Sequence, residues 1–407
     1  MPNKPKILVV GSGFAGFWAG VAARRVAGFQ ANIGLVSPRP VLEVRPRLYE
    51  ANPAALGVDL LPLFDKIGVT YVRGEAVELD TDARKVVLPD GKRLSYDRLI
   101  VASGSRMVRP PVPGAELAFS VDTQAEAVSF DRRLAEIARD IAEPSIAVIG
   151  AGFTGIELTL ELRDRLVAHG AAAAAERLRI VLIDRSRTVG HALGPGPRAE
   201  IGVAMAAAGV ELRLGANVQT MTSESVSFDD GSVLAVDAVV LASGMEASPF
   251  AAKVPGERDR LGRVFVDAAL RAPFAPEVFV AGDAATADTG DGHRTLQSCQ
   301  HAGQLGRVAG ENAARDLLGR PTVPYEQLRY ITCLDLGRFG AVITQGWERR
   351  VDKTGGEGKA VKRMVNTQVI YPPTDGSAES LLAHSSIDLA ARTRGIDRPR
   401  AEFEDVA

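Results

Sequence analysis

Lys6-Ile7-Leu8-Val9-Val10-Gly11-Ser12-Gly13-Phe14-Ala15-Gly16 is the stretch that decides how this chain folds. Its first half is a short, nearly continuous apolar run, the mark of a strand buried on both faces. Its second half is a glycine-rich turn, followed by a helical stretch from Phe17 towards Val26. The same pattern returns as Ile146-Ala147-Val148-Ile149, then Gly150-Ala151-Gly152-Phe153-Thr154-Gly155, then a helix from Ile156. The leading glycines of the two copies lie 139 residues apart. A second pair nearly keeps that offset. Leu99-Ile100-Val101-Ala102-Ser103-Gly104 and Val239-Val240-Leu241-Ala242-Ser243-Gly244 lie 140 residues apart. Two unrelated motifs that share one offset imply a duplicated unit.

Each glycine in the pattern has a physical task. The first (Gly11, Gly150) permits a tight turn, and the second (Gly13, Gly152) lets backbone N–H groups approach a pyrophosphate. The third (Gly16, Gly155) lets helix and strand pack closely. Phosphates then meet the positive helix N-terminus. One such fingerprint is weak evidence, but two in strand–turn–helix context are strong.

The end of the next strand usually supplies an acid for ribose hydroxyls. In the second unit, Leu178 to Ile183 ends at Asp184, which favours NADH; Arg185 and Arg187 follow closely and suit a 2′-phosphate, so NADPH stays open. In the first unit the corresponding residue is Ser37, a contact without charge assistance, with Arg39 and Arg47 as the compensating candidates.

Composition narrows the remaining classes. At 407 residues there is room for two or three domains, and 46% hydrophobic residues suffice for full cores. A formal charge of −2 offers no field to attract nucleic acid. Cys299 and Cys333 are too few for a disulfide scaffold, which suits a reducing cytoplasm. No metal-ligand cluster, signal peptide or apolar run of about 18 residues is evident. Peripheral contact with the inner face of the membrane stays open.

Pro276-Glu277-Val278-Phe279-Val280-Ala281-Gly282-Asp283-Ala284-Ala285 reads as a buried strand ending in Gly-Asp, ahead of another helix. It resembles the second FAD signature of the two-dinucleotide-domain flavoprotein reductases, the pyridine nucleotide-disulfide oxidoreductase superfamily. With both glycine fingerprints and the Tyr96-Asp97…Ser103-Gly104 segment, the resemblance spans residues 6 to about 320. It implies FAD in the first unit, NADH in the second, and Asp283 on the ribityl chain, with Ser103, Gly104 and Gly244 near the cofactors.

Within that superfamily the disulfide reductases carry a Cys-x-x-x-x-Cys pair. The corresponding stretch here, Val41 to Gly57, has no cysteine, so that chemistry is excluded. Sulfide:quinone chemistry would need Cys299 and Cys333 to meet, whereas buried free cysteine is usually a core residue. The chain looks most like type II NADH:quinone oxidoreductases and the ferroptosis-suppressor-like reductases. Pro46-Arg47-Leu48-Tyr49-Glu50 resembles the family's segment beside the flavin. Glu157 matches a glutamate near the nicotinamide, against the simpler reading of an acid in a helix dipole field. Thr295 to Ala302 resembles the helix bordering flavin and quinone, and would place Gln297 and His301 on one helical face.

The expected architecture is α/β: two Rossmann-like dinucleotide-binding domains plus a small α+β C-terminal domain. The FAD-binding domain is expected over 1–113 and 248–320, the NAD(P)H domain over 114–247, and the C-terminal domain over 321–407. In that last part, Asp352 to Gly358 reads as a mobile turn and Lys359 to Val365 as the start of a helix. Ala378 to Arg394 reads as a helix with few leucines (Leu381, Leu382, Leu389), too weakly apolar for a usual interfacial anchor. It is left to pack on the body or to support a homodimer. The resemblance implies hydride transfer from NADH to FAD, then electron transfer to a quinone-like or other small acceptor near Gln297 and His301. Two rivals stay open: a ferredoxin-type reductase, and a flavin-bound NADH sensor.

Overall fold

A computed structural model describes residues 4–387. Two parallel sheets repeat one topology. The first runs, edge to edge, Arg271–Ala272, Ala275–Val280, Arg98–Val101, Lys6–Val10, Asn32–Ser37 and Val69–Arg73. Its strands pair in parallel except at the Arg271–Val280 edge hairpin. The second runs Phe119–Ser120, Ala238–Leu241, Ser145–Ile149, Arg179–Asp184 and Glu211–Leu214, parallel throughout.

The duplication extends to single hydrogen bonds. Gly11 N–H donates to the Val36 carbonyl and Gly150 N–H to that of Ile183, each at 2.8 Å. The Lys6 N–H donates to the Asp97 carboxylate at 2.7 Å, and the Ser145 N–H to that of Asp237 at 2.6 Å. Each copy thus closes its central strand with the same bonds at both ends. Each also carries a three-stranded antiparallel sheet, Glu78–Ser95 in one and Val218–Ala235 in the other.

Burial explains why the strands read as continuous apolar runs. Val9, Leu35, Ile100 and Phe279 of the first sheet, and Val148, Leu182 and Val240 of the second, have no exposed surface. Each large side chain so buried contributes about 1.5–3 kcal/mol relative to exposure. One face of the first sheet is covered by the helix Phe14–Ala27, which packs on the helix Cys299–Leu317. Glycine allows that approach: a Cβ at Gly306 or Gly310 would lie 2.2 Å from the Ala15 or Ala19 carbonyl oxygen.

The chain leaves the first sheet through Ser105–Met107 and returns through Met245–Ala247, and these two strands pair antiparallel. Beyond residue 330, strands Ile331–Asp335, Ala341–Gln345 and Arg350–Lys353 form an antiparallel sheet covered by the helix Gly355–Met364. The expected turn over Asp352 to Gly358 is therefore corrected. Its beginning ends a strand and its glycines open a helix, because residue 355 accepts the left-handed φ of +56° at that junction.

The next helix is Ala378–His384, and its Leu381 is fully buried in the core of the first body. This part of the expected C-terminal helix packs on the protein itself; the part from Asp388 to Arg394, with Leu389, lies outside the described residues. Among the described residues no helix is long and apolar enough to cross a membrane.

Candidate active site

Both glycine loops open into one cavity of about 2450 Å³. A single small-molecule site occupies roughly 300–1,000 Å³, so the space has room for more than one such ligand.

The first and third glycines serve the protein. Gly11 has a φ of +105°, and a Cβ there would lie 2.2 Å from the Ala102 carbonyl oxygen; Gly150 has +114° and meets Ala242 identically. A Cβ on Gly16 would lie 1.9 Å from the Gly11 oxygen, and one on Gly155 lies 1.7 Å from that of Gly150. The middle glycines differ. A Cβ on Gly13 or Gly152 would meet nothing within 4 Å, although each lines the cavity and caps its helix. Open space at a helix N-terminus is what a pyrophosphate would fill, and by this test the loops fit the cofactors. Phe14 and Ala15 line the same opening, and the helices start at Phe14 and Phe153, slightly earlier than the sequence suggested.

Opposite the first loop lie Ser103, Gly104 and Asp283. Gly282–Ala284 is a short 3-10 turn followed by a strand, so Asp283 caps no long helix. Gly282 has a φ of +70°, and a Cβ there would press within 2.7 Å of the Ala15 methyl. Burial pushes the Asp283 carboxyl above its ordinary range, opposed by the Ser105 hydroxyl that donates to it at 2.7 Å and by Arg45. Ser37 ends its strand at the cavity; its hydroxyl donates to the Arg39 carbonyl at 2.6 Å, leaving oxygen lone pairs for a ligand. The Arg39 side chain also lines the cavity while paired with Glu43.

Arg47 requires correction. It holds Glu50 at 2.7 Å and donates to the hydroxyl of the cavity-lining Tyr371 at 2.9 Å, but does not itself line the cavity. Arg45, two residues earlier, does line the site, bonded to Asp122 and to Ser105. Pro46 sits between the two arginines in a single 3-10 turn, which turns them to different sides.

In the second unit, Asp184 ends its strand on the cavity wall. Its carboxylate accepts the Ala151 N–H at 2.7 Å and the Ser186 N–H at 2.6 Å, stitching glycine loop to strand. A carboxylate offers about four acceptor positions, so a ribose hydroxyl can still donate to it. Gly244 lines the wall with a φ of +94° and space beside it.

Glu157 is neither solvated nor in the first turn of its helix. Its Oε1 accepts from Lys362 Nζ at 2.8 Å and from the Asp335 N–H at 2.9 Å. Burial pushes its carboxyl up, against the pull of the Lys362 ammonium. Lys362 also donates to the Cys333 carbonyl at 3.1 Å, and Tyr49 to the Asp335 carboxylate at 3.0 Å. Lys362 is a site residue the sequence reading missed, since only the tertiary fold brings residues 157 and 362 together.

Glu161, one turn beyond Glu157, is pushed from its ordinary 4.5 to about 7, by burial first and by Asp335 next. A carboxyl raised in the folded state binds its proton more tightly there than in the unfolded chain. Its stabilising contribution is fully present below about 4.5 and is lost as pH rises through about 7. Glu161→Gln is therefore expected to raise the urea midpoint at pH 8 and leave it nearly unchanged at pH 4.5. A midpoint shift independent of pH would contradict this assignment.

Gln297 and His301 do not share a helical face. Ser298 caps the helix by accepting the His301 N–H, so the helix begins at Cys299 and Gln297 precedes it. Gln297 lines the cavity and donates to the Asp283 carbonyl at 3.3 Å. His301 is fully buried behind that wall, stacked on Tyr330 with centroids 5.6 Å apart and with its Nδ1 3.3 Å from the Tyr325 hydroxyl. A catalytic contact at His301 is thus withdrawn. Cys299 and Cys333 are not joined in a disulfide and both line the cavity; burial pushes the Cys333 thiol up to about 11, which keeps it a weak nucleophile at neutral pH.

The family described as pyridine nucleotide-disulphide oxidoreductase matches residues 5–306. The chain is 40% identical over 388 residues to an NADH dehydrogenase-like protein of Mycobacterium tuberculosis, covering 93% of this chain and 97% of that one. It is 23% identical over 399 residues to the type II NADH:quinone oxidoreductase of Staphylococcus saprophyticus, covering 91% and 96%. Its fold is shared with the sulfide:quinone oxidoreductase of Aquifex aeolicus, with a TM-score of 0.76 at 18% identity over 92% of each chain.

Proposed function

The chain belongs to the pyridine nucleotide-disulphide oxidoreductase family, and from that premise we propose that this flavin- and NAD(P)H-dependent oxidoreductase uses FAD and NADH to reduce a quinone-like small acceptor. The observation that carries the proposal is the single cavity joining both glycine loops, Asp283 and the Glu157–Lys362 pair. Bound there, the flavin supplies the two-electron chemistry between reduced nicotinamide and acceptor.

The chain's own residues supply position and charge. We assign FAD to the body built from 1–113 and 248–320, with its pyrophosphate on Gly11, Gly13 and Gly16 and its ribityl chain on Asp283. NADH falls to 114–247, on Gly150, Gly152 and Gly155, with Asp184 on the ribose. Both bonds to Glu157 fall on Oε1, so Oε2 is the oxygen we assign to the nicotinamide carboxamide. Lys362 Nζ holds a proton at the cavity wall, where an acceptor taking two electrons must also be protonated. Gln297, fixed against the Asp283 carbonyl, is the residue we assign as a hydrogen-bond donor toward the flavin and acceptor. Two cysteines that form no disulfide suit a reducing cytoplasm.

Purified yellow holoprotein should oxidise NADH in preference to NADPH, with rapid turnover on ubiquinone or menaquinone analogues. Bleaching by NADH without reoxidation by any quinone would remove the quinone assignment and favour an iron–sulfur protein acceptor or a sensor.

A further inference from the structure

Arg349 stands out among the arginines of the cavity wall. Arg185, Arg260 and Arg329 reach it from exposed positions, Arg39 and Arg45 are paired with Glu43 and Asp122, and Arg307 lies over the Trp18 ring, on the first unit's helix. Arg349 is half-buried and forms no ion pair among the described residues. Its Nη1 donates to the Ala192 carbonyl at 2.8 Å and its Nη2 approaches the Tyr330 hydroxyl at 3.4 Å, both neutral acceptors. A guanidinium has five N–H donors, so these bonds leave it unsaturated as well as uncompensated. Withdrawing a cation from water is costly unless an anion meets it.

Its surroundings place that anion. The guanidinium carbon lies 5.7 Å from the centre of the Phe153 ring, and Phe153 is the first residue of the helix opening at the second glycine loop. The backbone is built to hold it there. Arg349 has a φ of +49°, a left-handed conformation that glycine ordinarily fills. Its carbonyl sits so close to residue 196 that a Cβ on Gly196 would lie 2.0 Å away. A hairpin turn of the C-terminal unit is thus pressed against the second unit, with an arginine where a glycine would strain less.

We propose that Arg349 binds the diphosphate bridge of the pyridine dinucleotide, facing the glycine loop from the C-terminal unit. This rests on the reading of the second loop as the NADH site. Residues after 320 then take part directly in nucleotide binding.

The test compares ADP-ribose, which carries the diphosphate without nicotinamide, with adenosine, which lacks phosphate, by titration of purified holoprotein. Arg349→Gln is expected to weaken ADP-ribose about tenfold or more and to raise the KM for NADH in parallel. Adenosine binding is expected to hold, and Arg349→Lys to recover much of the ADP-ribose affinity. Arg349→Gly, which relieves the left-handed backbone, should keep or raise the melting temperature and still lose affinity for ADP-ribose. Unchanged ADP-ribose affinity in the Gln and Gly variants would overturn the proposal, as would an equal loss for adenosine. In both cases Gly152→Glu would still abolish nucleotide binding. If Gly152→Glu spares it, the reading of the loop has failed, and the assignment of Arg349 falls with it.

Discussion

Gly13→Glu is expected to give a protein that folds normally and purifies without its flavin. Gly13 has a φ of −67°, a backbone any residue adopts, and a Cβ there would meet nothing within 4 Å. A carboxylate at the start of a helix is, if anything, favourable to the empty fold. The cost falls on the proposed ligand. A carboxylate about 4 Å from one pyrophosphate charge costs on the order of 4 kcal/mol at an effective dielectric near 20, roughly a thousandfold in affinity. The absorbance ratio of visible band to protein band should therefore drop to background while the melting profile of flavin-stripped protein stays unchanged. A variant retaining wild-type FAD occupancy would mean that the first loop does not hold the pyrophosphate.

Lys362→Met is expected to produce the largest loss of stability. The pair it breaks is enclosed, with the Lys362 and Glu157 side chains 6% and 8% exposed. Removing one partner of a buried ion pair costs about 3–5 kcal/mol, because the other charge is left without compensation. Whole proteins are stable by only about 5–15 kcal/mol, so the urea midpoint should fall markedly. The double variant Glu157→Gln, Lys362→Met removes both charges and should regain most of that loss. Quinone turnover should stay low in both, since neither leaves the Lys362 ammonium at the cavity wall. A single-variant loss below about 1 kcal/mol would show that the pair is reached by water, and recovery of turnover in the double variant would remove Lys362 from the reaction.

Features encoded in backbone chemistry could be read from the letters alone. Gly11, Gly16, Gly150 and Gly155 are required by contacts within about ten residues or with the adjacent strand, and Asp184 and Asp283 follow directly from strands that are visibly apolar. The duplication seen in the letters recurs in the structure as matching hydrogen bonds at both ends of the central strands. Side chains whose role depends on distant elements could not be read. Lys362 reaches Glu157 across 205 positions, and Arg45 reaches Asp122 across 77. His301 was misplaced for a local reason: Ser298 caps the helix, and that cap sets the phase that turns residue 301 inward. Arg47 and Arg45 differ by two residues in a turn too short for periodicity to orient.

The ribbon formed by Ser105–Met107 and Met245–Ala247 has a consequence for the history and engineering of this architecture. Both passages of the chain between the bodies run side by side, and the Val108 N–H donates to the Gly244 carbonyl at 2.9 Å. Everything between those two residues enters and leaves at one place, its ends already tied together, and it bonds elsewhere through contacts such as Arg45–Asp122 and Lys362–Glu157. Such a segment can be transplanted from a relative with another coenzyme preference at two neighbouring splice points, leaving the recipient's sheet uncut.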